Sequence, residues 1–201
     1  MKIAVFGGSG MIGSRVVSEA TRRGHEVTAV SRSNSLPEGA IKSVAMGLND
    51  TLNVVALIES VDATVISVSP DRSGGSHEPI LQAHRDLIAA KPSSRMLIVG
   101  GAGSLEINGV RLQDTPGFPP AYYKEASTFS TILDLYRASK NLKWTILSPA
   151  PMIAPGTRTG AYRVGTDNPI GDSISAEDFA VAIVDELEKP AHVGMRFTVA
   201  N

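Results

Sequence analysis

The chain has 201 residues, 42% of them hydrophobic and 19% charged, which is enough apolar material for one buried core and excludes a disordered polymer. Lys and Arg number 19 against 20 Asp and Glu, a formal charge of -1 that offers nucleic acid no general basic field. The absence of cysteine excludes disulfides, Cys-bound zinc, iron–sulfur clusters and a thiol nucleophile.

Residues 3–6 open the chain as a continuous apolar run that stops at Gly7, too short for a signal peptide. No run approaches the ~20 apolar residues of a membrane span, so a soluble, cytoplasmic protein is expected. Residues 11–23 have helical period, with Ile12, Val16, Val17 and Ala20 on one face and Gly24 in the place of a C-cap glycine. Strands are predicted over 27–30 and 41–45, a short helix over 52–58, a strand over 63–68 and a helix over 80–90. Residues 96–99 form a strand ending in Gly100-Gly101-Ala102-Gly103, and residues 126–138 a helix. A strand over 144–147, a helix over 175–188 and a last strand over 196–199 complete the pattern.

Short, continuously apolar strands are buried on both faces, and the helices between them supply crossovers. The alternation predicts a single α/β domain over residues 1–201, a doubly wound parallel sheet of strand order 3-2-1-4-5-6. Two Gly- and Pro-rich stretches, 103–123 and 149–169, each follow a strand. They are the expected substrate loops, because open α/β sheets bind ligands outside the carboxyl ends of their strands.

The strongest chemical signal is Gly7-Gly8-Ser9-Gly10-Met11-Ile12-Gly13 between the first strand and the first helix. Glycines at G-x-x-G-x-x-G spacing let backbone turn tightly and approach a pyrophosphate at a helix N-terminus. The plainer alternative is an ordinary glycine-rich turn. At the end of the second strand, where an acidic residue would bind a ribose 2′-hydroxyl, the chain carries Ser31-Arg32-Ser33. An arginine there suits a 2′-phosphate, so NADP(H) is expected over NAD(H); the alternative is a solvated surface arginine.

With these motifs, Gly100-Gly101-Ala102-Gly103-Ser104-Leu105 and the segments 144–150, 155–160 and 174–180, the whole chain resembles the atypical short-chain dehydrogenase/reductases. It is most similar to their small NAD(P)H-binding branch, described as NADH-flavin reductase-like or NAD(P)-dependent epimerase-like. The resemblance implies cofactor contacts from Gly7, Ser9, Gly10, Met11, Ile12, Gly13 and Arg32. It puts Gly47 and Leu48 near adenine, Ser67 and Val68 beside the ribose, Gly100 and Gly101 near the middle of the cofactor, and Pro149, Ala150 and Met152 near the nicotinamide. Typical members also carry Tyr-x-x-x-Lys on the helix after the glycine-rich strand. Here Tyr122 and Tyr123 are followed four residues later by Ala126 and Ser127, and Lys124 has the wrong spacing to share their helix face.

The expected activity is therefore an NAD(P)H-dependent flavin or quinone reductase, with direct hydride transfer to a small-molecule acceptor, free flavin among them. The alternatives are a nucleotide-sugar epimerase or dehydratase and a non-catalytic NADP(H) sensor. Ser104 and Tyr123 are the candidate catalytic residues, Ser104 having the plainer reading of a turn serine bonded to its own backbone. Tyr122, Tyr123 and Lys124 either line the pocket mouth or pack on the Pro-rich loop. Arg158 reads as solvated and Tyr162 as packed, with an anionic or aromatic substrate as the sharper alternative. His84 lies on the stripe Ile80, His84, Leu87 and is expected to be packed; His77 beside Glu78 suggests a helix cap. Ser175 and Asp178 resemble a capping box, and Asp185, Glu186 and Glu188 a solvated helix face. No metal site, nucleic-acid partner or membrane partner is expected, and the chain is expected as a monomer or homodimer.

Overall fold

The computed structural model describes residues 1–33 and 35–201. Strand β1 (Lys2–Phe6) leads through helix α1 (Met11–Arg22) to β2 (Glu26–Ser31) and β3 (Lys42–Ala45). Helix α2 (Thr51–Glu59), β4 (Ala63–Ile66), α3 (Glu78–Ala90) and β5 (Arg95–Val99) follow. A small hairpin, β6 (Glu106–Ile107) and β7 (Val110–Arg111), precedes α4 (Pro120–Ala138) and β8 (Trp144–Pro149). Then come β9 (Met152–Ala154), β10 (Arg163–Gly165), β11 (Ser173–Ser175), α5 (Ala176–Glu188) and β12 (Met195–Ala200).

The main sheet runs β3-β2-β1-β4-β5-β8-β12-β10. Seven strands are parallel and only β10 is antiparallel, against β12. The expected order of six is therefore present and continues through β12. Alternation along β1 divides the core: Ile3 and Val5 face α1 and α5, with Val16, Val17, Phe179 and Ile183. Ala4 and Phe6 face α2, α3 and α4, with Val54, Ile58, Leu87, Ile132 and Tyr136. This is a doubly wound, Rossmann-like α/β domain. Among the described residues, no helix is long and apolar enough to cross a membrane.

Local signals account for the element ends. Gly24 has φ +81°, its N–H donates to Thr21 O and that of His25 to Ala20 O, the paired bonds of a glycine-terminated helix. Ser175 Oγ accepts from Asp178 N at 3.0 Å and caps α5. The Asp178 carboxylate does not return to Ser175; it accepts from Thr159 N, Thr159 Oγ1, Gly160 N and Asn201 Nδ2, which holds the 155–161 segment against α5.

Four expectations need correction. Helix α4 starts at Pro120, six residues before the predicted 126, because Pro120 at its first position has its φ set by the ring. Its first turns are exposed and carry no apolar stripe that periodicity would detect. Glu186 is not solvated but buried, salt-bridged to Arg95 and His192. Asp185 and Glu188 hold Arg23. His77 makes no side-chain cap; its ring is buried against Thr128 and the Asp71 carbonyl. Arg158 is not free in solvent but paired with Glu19. His84 is packed as expected, its Nδ1 3.1 Å from the Tyr136 hydroxyl, and burial pushes it down to about 4.

Candidate functional site

Register places the carboxyl ends of six strands in one row. Phe6 lies beside Val30 and Ile66, Ser31 beside Ala45, Ile66 beside Ile98, and Val99 beside Leu147. Backbone bonds extend the row one residue further. Gly7 N donates to Val30 O at 2.8 Å, Met46 N to Ser31 O at 3.1 Å, Ser67 N to Phe6 O at 2.9 Å and Gly100 N to Leu147 O at 2.8 Å. Residues far apart in the chain, Gly7, Arg32, Gly47, Ser67, Gly100 and Pro149, thereby come to one edge of the sheet.

Three of the four glycines in the Gly7–Gly13 segment have different reasons for being there. Gly7 has φ +76°, and a Cβ on it would collide with the Ser67 carbonyl; a Cβ on Gly13 would collide with the Gly7 carbonyl. Both are demanded by the chain's own packing. Gly10 is not. It has an ordinary φ of −79°, is exposed, and a Cβ would meet only Gly7 O, at 3.2 Å. It leaves space on the solvent side, directly at the start of α1. That helix has no side-chain cap and no acidic residue in its first turn. Its leading N–H groups and positive dipole end therefore face an open cradle. Ser9 and Met11 are exposed and Ile12 half-buried around the cradle.

Arg32 is exposed. Among the described residues no carboxylate or carbonyl holds it, whereas Arg15, Arg22, Arg23, Arg72, Arg85, Arg95, Arg111, Arg137, Arg158 and Arg196 are all ion-paired. Gly47 follows β3 and has the Asn49 side chain where a Cβ would be; Leu48 is buried and Val68 packs on the same core layer.

At the end of β5 the packing is tight. A Cβ on Gly101 would lie 3.0 Å from the Phe129 ring, and one on Gly103 2.5 Å from Ala126 Cβ. Helix α4 is thus seated directly on the glycine-rich turn. Ser104 is buried; its hydroxyl donates to Gly101 O at 3.0 Å and accepts from Arg196 Nη1 at 3.3 Å. The hydroxyl proton is committed to the turn. Tyr122 and Tyr123, one helical turn before Ala126, are 64% and 48% exposed. Lys124 Nζ donates to Gly75 O at 2.7 Å and is turned toward the loop after β4. Pro149 and Ala150 are buried at the end of β8. Between them and Gly100 lies a residue that the motifs did not single out: Ser148 is buried and, among the described residues, its Oγ has no hydrogen-bond partner. Only tertiary pairing of β5 with β8 brings it to the edge, so sequence carried no signal for it.

The two irregular stretches divide. In the first, the β6–β7 hairpin is tied to α4 through Arg111 and Asp134 and to the loop after β10 through Glu106 N and Asp167 O. In the second stretch only 149–154 remains at the edge. Arg158 leaves it to bind Glu19 with 2.8 and 3.0 Å bonds, and Tyr162 donates to Asp185. Glu19 is eight residues along α1 from Met11, about 12 Å from the glycine loop at 1.5 Å per residue. Neither Arg158 nor Tyr162 is available to a ligand at the loop. Burial by itself raises the Glu19 carboxyl; hydrogen bonds from Arg158, Arg22 and Arg23 outweigh it and hold the group far below the usual carboxylate range.

The open cradle at Gly10, the uncapped helix start and the exposed Arg32 fit an extended, phosphate-bearing ligand laid across the strand ends. Fold and edge together define an NAD(P)-binding Rossmann protein. The family model described as NAD(P)H-binding matches residues 7–190, and the chain belongs to that family. It is 40% identical to the Bacillus subtilis protein YwnB, itself described as uncharacterized, over 100% of this chain and 99% of that one. Among solved structures it is similar to a Streptococcus pneumoniae protein described as a candidate NADH-flavin reductase, with TM-score 0.85 and 32% identity over 100% and 99% of the two chains. It is equally similar to a Bacteroides thetaiotaomicron protein described as a candidate epimerase, with TM-score 0.86 and 34% identity over 99% and 96%. The family is thus one of NAD(P)-binding oxidoreductases and epimerase-like proteins.

Proposed function

We propose that the protein is an NADPH-dependent reductase of flat conjugated acceptors, a free flavin or a quinone. Met11, Met152, Tyr122 and Tyr123 are exposed thioethers and phenols, groups suited to a planar apolar face. The carrying observation is that the groups that acid–base chemistry on a sugar needs are engaged elsewhere. Lys124, the nearest ammonium to Tyr123 in sequence, is bound to the Gly75 carbonyl, and the Ser104 proton to Gly101. A reduced nicotinamide supplies a hydride directly to such an acceptor and asks the protein for position and exclusion of water. Gly7, Ser9, Gly10, Met11, Ile12 and Gly13 would hold the pyrophosphate, and Arg32 a 2′-phosphate. Gly47 and Leu48 would border adenine, Ser67 and Val68 the ribose, and Gly100, Gly101, Pro149, Ala150 and Met152 the nicotinamide end. Steady-state NADPH oxidation with riboflavin phosphate, quinones and nucleotide sugars tests the proposal. Turnover of sugars alone favours the epimerase reading, and cofactor binding without any turnover a sensor.

Arg32→Ala should weaken NADPH by roughly 10- to 150-fold, as loss of a charge-assisted contact of about 1.5–3 kcal/mol requires, and leave NADH within about twofold. Equal losses for both would assign Arg32 to adenine or to the loop. Tyr123→Phe and Ser104→Ala should each lower acceptor reduction by less than about tenfold, the scale of one neutral hydrogen bond. A hundredfold loss in Tyr123→Phe with cofactor affinity intact would make that phenol a general acid and remove the present mechanism.

A further inference from the structure

The β6–β7 hairpin carries chemistry that the strand ends do not use. Its two-residue loop is Asn108-Gly109, set between Ile107 and Val110, which face each other across the strands. Asn108 has φ +53° and Gly109 φ +79°. A hairpin loop of this length demands that positive pair, and Asn-Gly adopts it at low cost. Both residues are exposed. A Cβ on Gly109 would meet nothing within 4 Å, so open space surrounds the turn.

An asparagine amide is open to attack by the backbone nitrogen of the next residue. The attack needs a nitrogen that is not already bonded elsewhere, and room for it to approach. At Asn49, Asn53, Asn141 and Asn168 one of these conditions fails. Asp50 N donates to Gly47 O and Val54 N to Asp50 O, so the nitrogens after Asn49 and Asn53 are committed. Asn168 is followed by Pro169, which has no N–H. Asn141 is followed by Leu142, whose branched side chain is buried. Asn108 alone in the chain is followed by glycine, which has no Cβ to obstruct the approach. Among the described residues no hydrogen bond holds Gly109 N or the Asn108 side chain.

We propose that Asn108 is a site of spontaneous covalent modification, at which the chain turns a neutral amide into a carboxylate and reroutes its own backbone. Hydroxide removes the proton of Gly109 N. The nitrogen attacks Asn108 Cγ; the N–Cγ bond forms, the Cγ–Nδ2 bond breaks, and Nδ2 leaves as ammonia with the proton that Gly109 gave up. The product is a five-membered succinimide. Water then opens the ring. Cleavage of the new N–Cγ bond gives aspartate. Cleavage between the Asn108 main-chain carbonyl carbon and Gly109 N gives isoaspartate, whose backbone runs through Cβ and Cγ. No electron is transferred, and water is the only co-reactant consumed.

Isoaspartate cannot keep the turn. A two-residue loop has no slack, and the rerouted main chain is one carbon longer, so the facing of Ile107 and Val110 is lost. The ties of Arg111 to Asp134 and of Glu106 N to Asp167 O lie outside the loop and hold the base of the hairpin in place. The modified chain therefore keeps its fold, with a changed hairpin tip and one more negative charge. None of this depends on which acceptor, if any, the protein reduces.

The test ages the whole protein in warm, mildly alkaline buffer and maps its peptides by mass spectrometry. The peptide holding Asn108 should gain about one mass unit, an order of magnitude faster than those holding Asn49, Asn53, Asn141 or Asn168. Its rate should rise in proportion to hydroxide. A methyltransferase that esterifies isoaspartyl carboxyls should label the aged protein at residue 108 and leave fresh protein unlabelled. Asn108→Gly keeps two residues suited to positive φ in the turn, and should abolish both signals. Conversion at Asn108 no faster than at the other four, or a label of equal strength in aged Asn108→Gly, overturns the proposal. So does a folded chain that converts more slowly than the urea-unfolded chain by about two orders of magnitude, because the turn would then shield the amide.

Discussion

Gly10→Val should abolish NADPH binding in a protein that remains folded. The backbone at Gly10, φ −79° and ψ 172°, is open to any residue, and the only internal neighbour of a Cβ would be Gly7 O at 3.2 Å. That backbone oxygen must give by a few tenths of an ångström, so a cost to the fold of about 1–2 kcal/mol is expected. The branched side chain would instead stand in the space above the first turn of α1, where a pyrophosphate must approach the N–H groups closely. A loss of about 100-fold or more, ~2.7 kcal/mol, is expected in a nicotinamide-fluorescence titration. Gly13→Val supplies the contrast. Its Cβ would run into the Gly7 carbonyl, which is backbone and cannot step aside. That variant should lose about 3 kcal/mol or more of stability, visible in a denaturant melt. Undiminished NADPH affinity in Gly10→Val would remove the phosphate loop from the site.

Glu19→Gln should be the most destabilising change at an ionisable group distant from the strand ends. The carboxylate is buried at 4% exposure and accepts from Arg22, Arg23 and Arg158, joining α1 to the 155–161 segment. Breaking a fully buried pair costs about 3–5 kcal/mol; Arg22 and Arg158 remain half-open to water and can be resolvated, so about 2–3 kcal/mol is expected here. The pH dependence carries the same signature. The folded carboxyl lies well below the unfolded value of 4.5, so its stabilisation is complete above that value and is lost as pH falls below it. His84 acts in a higher window. Buried and neutral, it titrates near 4 when folded against 6.5 when unfolded, so its contribution is complete above 6.5 and declines toward 4. Urea melts from pH 7 to 3 should show both losses, and Glu19→Gln should remove the lower one alone. An unchanged acid limb in that variant would show that the arginines find equivalent partners elsewhere.

Much of the architecture was legible because it is written in local pattern. The continuously apolar strands announced a parallel sheet, and the glycine succession at Gly7–Gly13 marked the tight turn from β1 into α1, since turn chemistry and helix dipole act over a few neighbouring residues. Gly24, Ser175 and the stripe through His84 were readable for the same reason. Local pattern misled wherever a side chain's partner was remote. Glu186 and Arg158 look solvated along the chain, yet Arg95 and Glu19, 91 and 139 residues away, take them out of solvent. Ser104 carries the right chemical group in a suggestive motif, but Arg196, brought up by β12, determines where its proton points.

The sequence by itself determined the fold class, the glycine turn between β1 and α1 and the arginine after the second strand, because each depends on backbone period and on residues adjacent in the chain. Tertiary structure alone decided which side chains are free to act. Strand register lined up six loop ends, and helix packing paired Arg158 with Glu19 and Tyr162 with Asp185, away from that edge. It also joined His77 to Thr128 across 51 residues. Such pairings depend on which buried charge or hydroxyl finds its counterpart when helices pack, a long-range energetic choice that no short segment encodes.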